Sequence, residues 1–145
     1  MTPEEARQLV IELTAAWVDD AESSAVWSGT HEGRLGLRMA QASRDFTTMW
    51  FDVGELTLAT EAYLLPAPHG GHQEVYRQAL VRNDKSWPAY IAMDETGGLY
   101  VRTRSHLTDL SAERLEQVVG ATYELVDLAF PGLVRAGFQQ REKTT

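Results

Sequence analysis

Cysteine is missing from all 145 residues. That absence removes disulfide staples, thiolate zinc sites, iron–sulfur clusters and thiol nucleophiles from consideration. Long apolar runs are missing too. No stretch approaches the roughly 20 apolar residues that a membrane-crossing helix needs, so no membrane association is expected. Met1 to Val10 has no basic stretch leading into an apolar one, and no secretory leader is expected there. Basic charge is scarce: 13 Lys and Arg against 21 Asp and Glu leave a formal net charge of -8. Binding duplex nucleic acid requires clustered cations, so nucleic acid is not an expected partner. The marks of common chemistries are absent as well. There is no G-x-S-x-G elbow, no Walker A run and no G-x-G-x-x-G. The expectation is a cytoplasmic protein that is not an enzyme and carries no cofactor.

What is present reads as an ordinary globular chain. Hydrophobic residues make up 43% and charged residues 23%, enough apolar content for a real core. The length suits one domain, expected over residues 1–138, with 139–145 as a disordered tail.

Arg34 to Leu65 organises the chain. Leu35, Leu37 and Met39 alternate with Gly36, Arg38 and Ala40, and Met49, Phe51 and Val53 alternate with Trp50 and Asp52. Leu56, Leu58, Ala62 and Leu64 share one side of a third run. Period-2 patterning over three segments, broken at Ser43-Arg44-Asp45 and Gly54-Glu55, predicts an antiparallel meander with one buried face. Phe46, Trp50 and Tyr63 then point away from the core, which predicts either a covering element or a partner surface.

Helices flank this sheet. Thr2-Pro3-Glu4-Glu5 reads as a capping box opening a helix to about Asp20, with Ala6, Leu9, Val10, Leu13, Ala16 and Trp17 on one face. Asp20 to Ser28 reads as a polar connection, with room for a short strand at Val26 and Trp27. Two prolines and two glycines between Leu65 and His72 mark a loop. A short helix follows over Gln73 to Arg82, ended by Asn83. Ala89 to Met93 and Leu99 to Thr103 flank Asp94-Glu95-Thr96-Gly97-Gly98 as a hairpin. Ser111 opens a last helix, with Leu110 and Leu115 as a hydrophobic staple and Leu115, Val118, Val119, Thr122, Val126 and Ala129 as its buried stripe. Pro131 is expected to end or kink it, with a short final helix stopped at Gly137.

Groups that carry chemistry are few. His69 and His72 flank two glycines, and neutral imidazoles bind zinc or nickel when further ligands converge; a solvent loop is the simpler reading, and no metal site is expected. Asp19, Asp20 and Glu22 read as a solvated helix end. Asp94 to Gly98 lacks the alternating acids of a calcium loop. Arg34 and Arg38 share parity on one strand, as do Arg102 and Arg104 on another. If those strands are neighbours, the open face bears a basic stripe for an acidic peptide or anion. Otherwise the arginines pair locally with Asp45, Asp52 and Glu61.

The run Ala79-Leu80-Val81-Arg82-Asn83, followed by Ala92-Met93-Asp94-Glu95-Thr96-Gly97-Gly98-Leu99-Tyr100-Val101-Arg102, resembles the type III secretion chaperone-like superfamily. Leu125-Val126-Asp127-Leu128-Ala129-Phe130-Pro131-Gly132-Leu133 resembles the bacterial YbjN family of sensory transduction regulators. The resemblance implies an α+β fold of order α-β-β-β-α-β-β-α, a twisted antiparallel sheet with helices mainly on one face, and often a dimer. Secretion chaperones of this fold wrap an extended client segment around apolar patches. The resemblance carries over structural residues alone: Asn83 as a helix end, Gly97 or Gly98 as a turn. The chain departs from dedicated secretion chaperones in its Pro66 to Gly71 loop and in a last helix interrupted at Pro131.

The combined expectation is a non-enzymatic, chaperone-like or regulatory module, homodimeric, that binds a protein partner. Its expected contacts are Trp50, Tyr63, Tyr76, Tyr100 and Arg102. The alternative is a regulatory domain that binds a small molecule in a pocket between sheet and helices.

Overall fold

The computed structural model describes residues 1–138, so the tail expected at 139–145 lies outside the described residues. Helix α1 (Pro3–Asp19) leads into β1 (Ala25–His31), β2 (Arg34–Gln41), β3 (Asp45–Val53) and β4 (Thr57–Leu65). Then come α2 (His72–Lys85), the hairpin β5 (Tyr90–Met93) and β6 (Leu99–His106), and α3 (Ala112–Gly137). The strands form one antiparallel six-stranded sheet in the order β1-β2-β3-β4-β6-β5.

This is the expected α+β class with one more strand. Ala25 to His31 is a full strand and not a connection, because Glu32 and Gly33 both adopt positive φ (51° and 81°). A two-residue turn of that kind folds a strand straight back on its neighbour.

The alternation decides which face is buried. Leu35, Leu37, Met49, Phe51, Leu58, Ala62, Leu64 and Val101 are all buried in one core with residues from all three helices. Against them α1 packs on β1, β2 and β3, α3 packs on β3, β4 and β6, and α2 packs on α3 and β5. Leu56 breaks the expected pattern. It sits in the turn before β4 and is 77% exposed, while its carbonyl accepts from the Leu107 N–H.

The capping box on α1 forms in both directions, Thr2 and Glu5 each accepting the other's backbone N–H at 3.1 Å. The cap of α3 forms likewise, with Ser111 accepting from Arg114 and Leu110 and Leu115 both buried. The expected stop at Pro131 does not occur, and α3 runs through it to Gly137. Pro131 and Asp127, whose carbonyl loses its helical donor, are both exposed, so water can satisfy that oxygen. Buried Ala129 and Leu133 hold the two halves as one helix.

Asn83 does not end α2 either; the helix continues to Lys85. Its amide instead reaches the edge strand β5, donating to Ile91 O at 3.0 Å and accepting from Ile91 N at 2.7 Å. The side chain thus occupies the outward backbone groups that another strand would take, which blunts one edge of the sheet. At the far end of β5, Asp94 accepts from Thr96 N, Thr96 Oγ1 and Gly98 N at 2.9, 2.7 and 3.0 Å. These donors, Thr96 Oγ1 first, hold the Asp94 carboxyl below its usual range.

Two predictions concern this hairpin. Asn83→Ala strands both Ile91 groups and costs about 2 kcal/mol. Urea unfolding measures the loss and hydrogen exchange at the Ile91 amide reports its site; an unchanged Ile91 protection factor contradicts the pairing. Asp94 has a lowered folded pKa, so its stabilisation is complete above the unfolded pKa and disappears as pH falls through the folded value. Asp94→Asn therefore destabilises the protein near neutral pH, and urea melts show the gap to wild type closing in strong acid.

Candidate binding face of the sheet

The face turned away from the helices is continuous across the sheet. Registered neighbours run Trp27 beside Arg38 and Gly36 beside Trp50. Beyond them Trp50 neighbours Glu61, Glu61 neighbours Arg102, and Tyr63 neighbours Tyr100. All three helices lie on the other side, so Phe46 is 52% and Tyr63 46% exposed. That Phe46, Trp50 and Tyr63 point away from the core is as the alternation predicts.

The aromatic side chains lie down on the sheet instead of standing off it. A Cβ on Gly36 would meet Trp50 Cζ3 at 2.8 Å and Trp27 Cζ3 at 3.0 Å. Glycine at this position lets two indoles approach the backbone from either side. The His31 ring lies 6.1 Å from Trp50, and the Arg34 guanidinium carbon 5.4 Å from the Trp50 ring centre. Tyr63 and Tyr100 meet edge to face at 5.5 Å, with Arg102 4.9 Å over Tyr100.

Charges thread this surface. Arg34 grips Asp52 through Nε (3.1 Å) and Nη2 (2.7 Å), and both Arg34 and Arg102 reach Glu61 at 3.4 Å. The hydrogen bonds to Asp52 are the first cause raising the Arg34 pKa. At this exposure such pairs contribute little to stability; they position side chains and keep the face soluble. Local pairing with Asp52 and Glu61 therefore holds, while Asp45 takes no part. The basic stripe from adjacent strands does not form, because β3 and β4 lie between β2 and β6. Arg38 bonds only Thr48 Oγ1, at 3.2 Å, and Arg104 has no carboxylate partner among the described residues. On the outward face of these strands four arginines stand against two carboxylates, Asp52 and Glu61, while Asp45 has the opposite parity; this leaves a local positive surplus on a chain of net charge -8. At the end of the hairpin, hydrogen bonding to Asp94 raises the Tyr100 phenol, while burial raises Tyr63.

Of the five expected contact residues, Trp50, Tyr63, Tyr100 and Arg102 come together on this face. Tyr76 does not. It sits on α2, half-buried against the core, with its ring 6.1 Å from His72. Sequence reasoning missed Trp27, whose place depends on β1 and was signalled by the Glu32-Gly33 pair.

His69 and His72 turn to different aromatic neighbours, His69 packing 4.8 Å from Phe138. The loop between them docks on the end of α3, with His69 N and Gly70 N donating to Gly137 O at 3.0 and 3.3 Å. Gly71 (φ 61°) passes so close that a Cβ would lie 2.1 Å from Ala136 O. The glycines of this motif thus fit the loop to the helix. Among the described residues no three His, Asp or Glu are grouped to hold a metal, and no helix is long and apolar enough to cross a membrane.

Comparison with known proteins places this geometry. An uncharacterized Mycobacterium leprae protein is 28% identical over 115 residues, 78% of this chain and 62% of that protein. An uncharacterized Mycobacterium tuberculosis protein is 31% identical over 93 residues, 62% of this chain and 51% of that protein. The chain thus matches only half to three-fifths of the length of these relatives. Among solved structures, the ExsC–ExsE complex superposes with a TM-score of 0.55 at 14% identity, covering 90% of this chain and 96% of that one. The heterodimeric ExoU–SpcU complex of the Pseudomonas aeruginosa type III secretion system gives 0.54 at 19% identity, covering 66% and 88%. YbjN from E. coli gives 0.53 at 14% identity, covering 80% and 84%. The likeness is one of fold, the type III secretion chaperone-like fold. The family model for YbjN, described as "Putative bacterial sensory transduction regulator", matches residues 11–135, and the chain belongs to that family.

Proposed function

We propose that this chain is a non-enzymatic protein-binding module, regulatory or chaperone-like, that holds an extended partner segment on the open face of its sheet. It acts as one domain over residues 1–138, in the cytoplasm. The observation that carries this reading is the uncovered surface of Trp27, Trp50, Tyr63 and Tyr100 interleaved with Arg34, Arg38, Arg102 and Arg104. Aromatic and arginine side chains are the residue types that dominate binding energy at protein interfaces. Family membership and the fold support the reading, since two solved neighbours are complexes of two proteins. The positive surplus favours an acidic partner segment, drawn in by the unpaired Arg38 and Arg104. Tyr76, on the helix side, stands outside this surface.

A second copy of the chain is the occupant proposed for a different patch. Trp87, Leu128 and Val81 are 85%, 50% and 42% exposed, and they adjoin one another through Arg82 at the junction of α2 and α3. This patch lies on the helix side, so dimerisation there leaves the sheet face free.

Two measurements test these readings. A photo-crosslinking residue placed at Tyr63 or Tyr100 captures a partner with an acidic segment in the cells of origin, and the same residue at Glu116 on α3 does not. Arg38→Glu with Arg104→Glu abolishes the capture without lowering the melting temperature. Equal capture from α3, or capture indifferent to the two reversals, contradicts the sheet-face role. Sedimentation shows a wild-type dimer that Trp87→Glu with Leu128→Glu converts to monomer; a monomeric wild type contradicts the dimer.

A further inference from the structure

A second surface, which meets the open face of the sheet at Tyr63, holds a cation without a counterion among the described residues. Arg44 stands half-buried in the turn between β2 and β3. Its guanidinium donates to three neutral oxygens: Nε to Thr47 Oγ1 (3.0 Å), Nη1 to Leu64 O (2.8 Å) and Nη2 to Tyr63 O (2.7 Å). The ring of Phe130 on α3 covers it, 5.2 Å from the guanidinium carbon to the ring centre. No carboxylate lies within ion-pair distance of it among the described residues. Burial lowers its pKa, the opposite of what an adjacent anion does.

The side chain is locked in place. Thr47 Oγ1, which accepts from Arg44, donates in turn to Gln41 Oε1, and Gln41 Nε2 donates to Tyr123 O on α3 at 2.9 Å. Three of the five guanidinium N–H groups are thereby used, leaving one on each terminal nitrogen. Desolvating a cation against neutral oxygens alone is costly. A carboxylate on the two remaining N–H groups reverses that cost.

The space for such an anion is present. Arg44 lines a groove of about 350 Å³ between the end of β4 and the last turns of α3, walled by Tyr63, Leu65, Phe130, Val134 and Phe138. Among the described residues Arg44 is its only charged wall. The volume falls within the range of small-molecule sites.

The geometry points to this groove as a binding site for a small organic monocarboxylate with an apolar chain or ring. The carboxylate pairs with the free N–H groups of Arg44, and the apolar body lies between Leu65, Phe130 and Val134. The site borders the open face at Tyr63, but its carboxylate contact is Arg44 and its apolar walls are on β4 and α3, so it survives if the sheet-face role fails.

The test is a titration of the full chain with octanoate, followed by NMR at the Arg44 side chain and the Val134 methyls. Octan-1-ol, which has the same chain without charge, and octylamine, which has the opposite charge, serve as matched probes. Octanoate shifts both sets of signals saturably, octan-1-ol binds about tenfold more weakly, and octylamine does not bind. Val134→Trp fills the groove without touching the bonds of Arg44 and abolishes octanoate binding. Arg44→Gln reduces octanoate to the level of octan-1-ol; should that variant fail to fold, the probe series and Val134→Trp decide alone. Octan-1-ol binding as tightly as octanoate overturns the proposal. So do octanoate shifts confined to other residues, or undiminished binding in Val134→Trp.

Discussion

Three helices cover one face of this sheet, and the other face has to stay soluble without them. Every strand must therefore carry two sequences at once, one per face, at the period of two that the pleat imposes. The covered side is filled mainly by aliphatic residues, Met49 and Phe51, with Thr47, Thr60 and Thr103 buried among them and Leu37, Met49 and Val101 wholly shielded from solvent. The uncovered side is not simply polar. It combines aromatic rings pressed onto the backbone with arginines that Asp52 and Glu61 partly neutralise.

The margins of the sheet are handled by single side chains. Asn83 reaches from α2 to take both outward groups of Ile91, so β5 does not present a bare edge. Arg44 does related work where β4 leaves the sheet, donating its N–H groups to the carbonyls of Tyr63 and Leu64. There the register shifts between Tyr63 and Leu65. A neutral donor suits such carbonyls equally well. The choice of a permanently charged group beside an apolar groove is what gives that rim a chemistry of its own.

Much of this was legible in the sequence, for identifiable reasons. Strand parity in β2, β3 and β4, the cap at Thr2 and the staple at Leu110 and Leu115 are all local patterns, and local patterns survive folding unchanged. The missed features depend on contacts between distant residues. Asn83 looks like a helix end because its real partner is Ile91, across a turn and in another element. Pro131 looks like a stop because the sequence does not show that its side of α3 faces water. Which of the four arginines find carboxylates depends on strand order, and strand order follows from the crossover through α2 and not from any one segment. Strand β1 was the exception, since the Glu32-Gly33 pair announces a tight hairpin. It also carries Trp27, the indole that completes the aromatic surface. Position in the family agrees with the fold but leaves the site to be argued from the residues themselves.

The account rests on one face of the sheet being bare in solution while the other is sealed. A soluble paramagnetic relaxation agent reports this residue by residue. The account predicts strong broadening of side-chain signals from Trp27, Trp50, Tyr63 and Tyr100, with Leu37, Met49, Phe51 and Val101 unaffected. Equal protection of both sets would contradict it, because the aromatic face would then be covered within the molecule and unable to receive a partner.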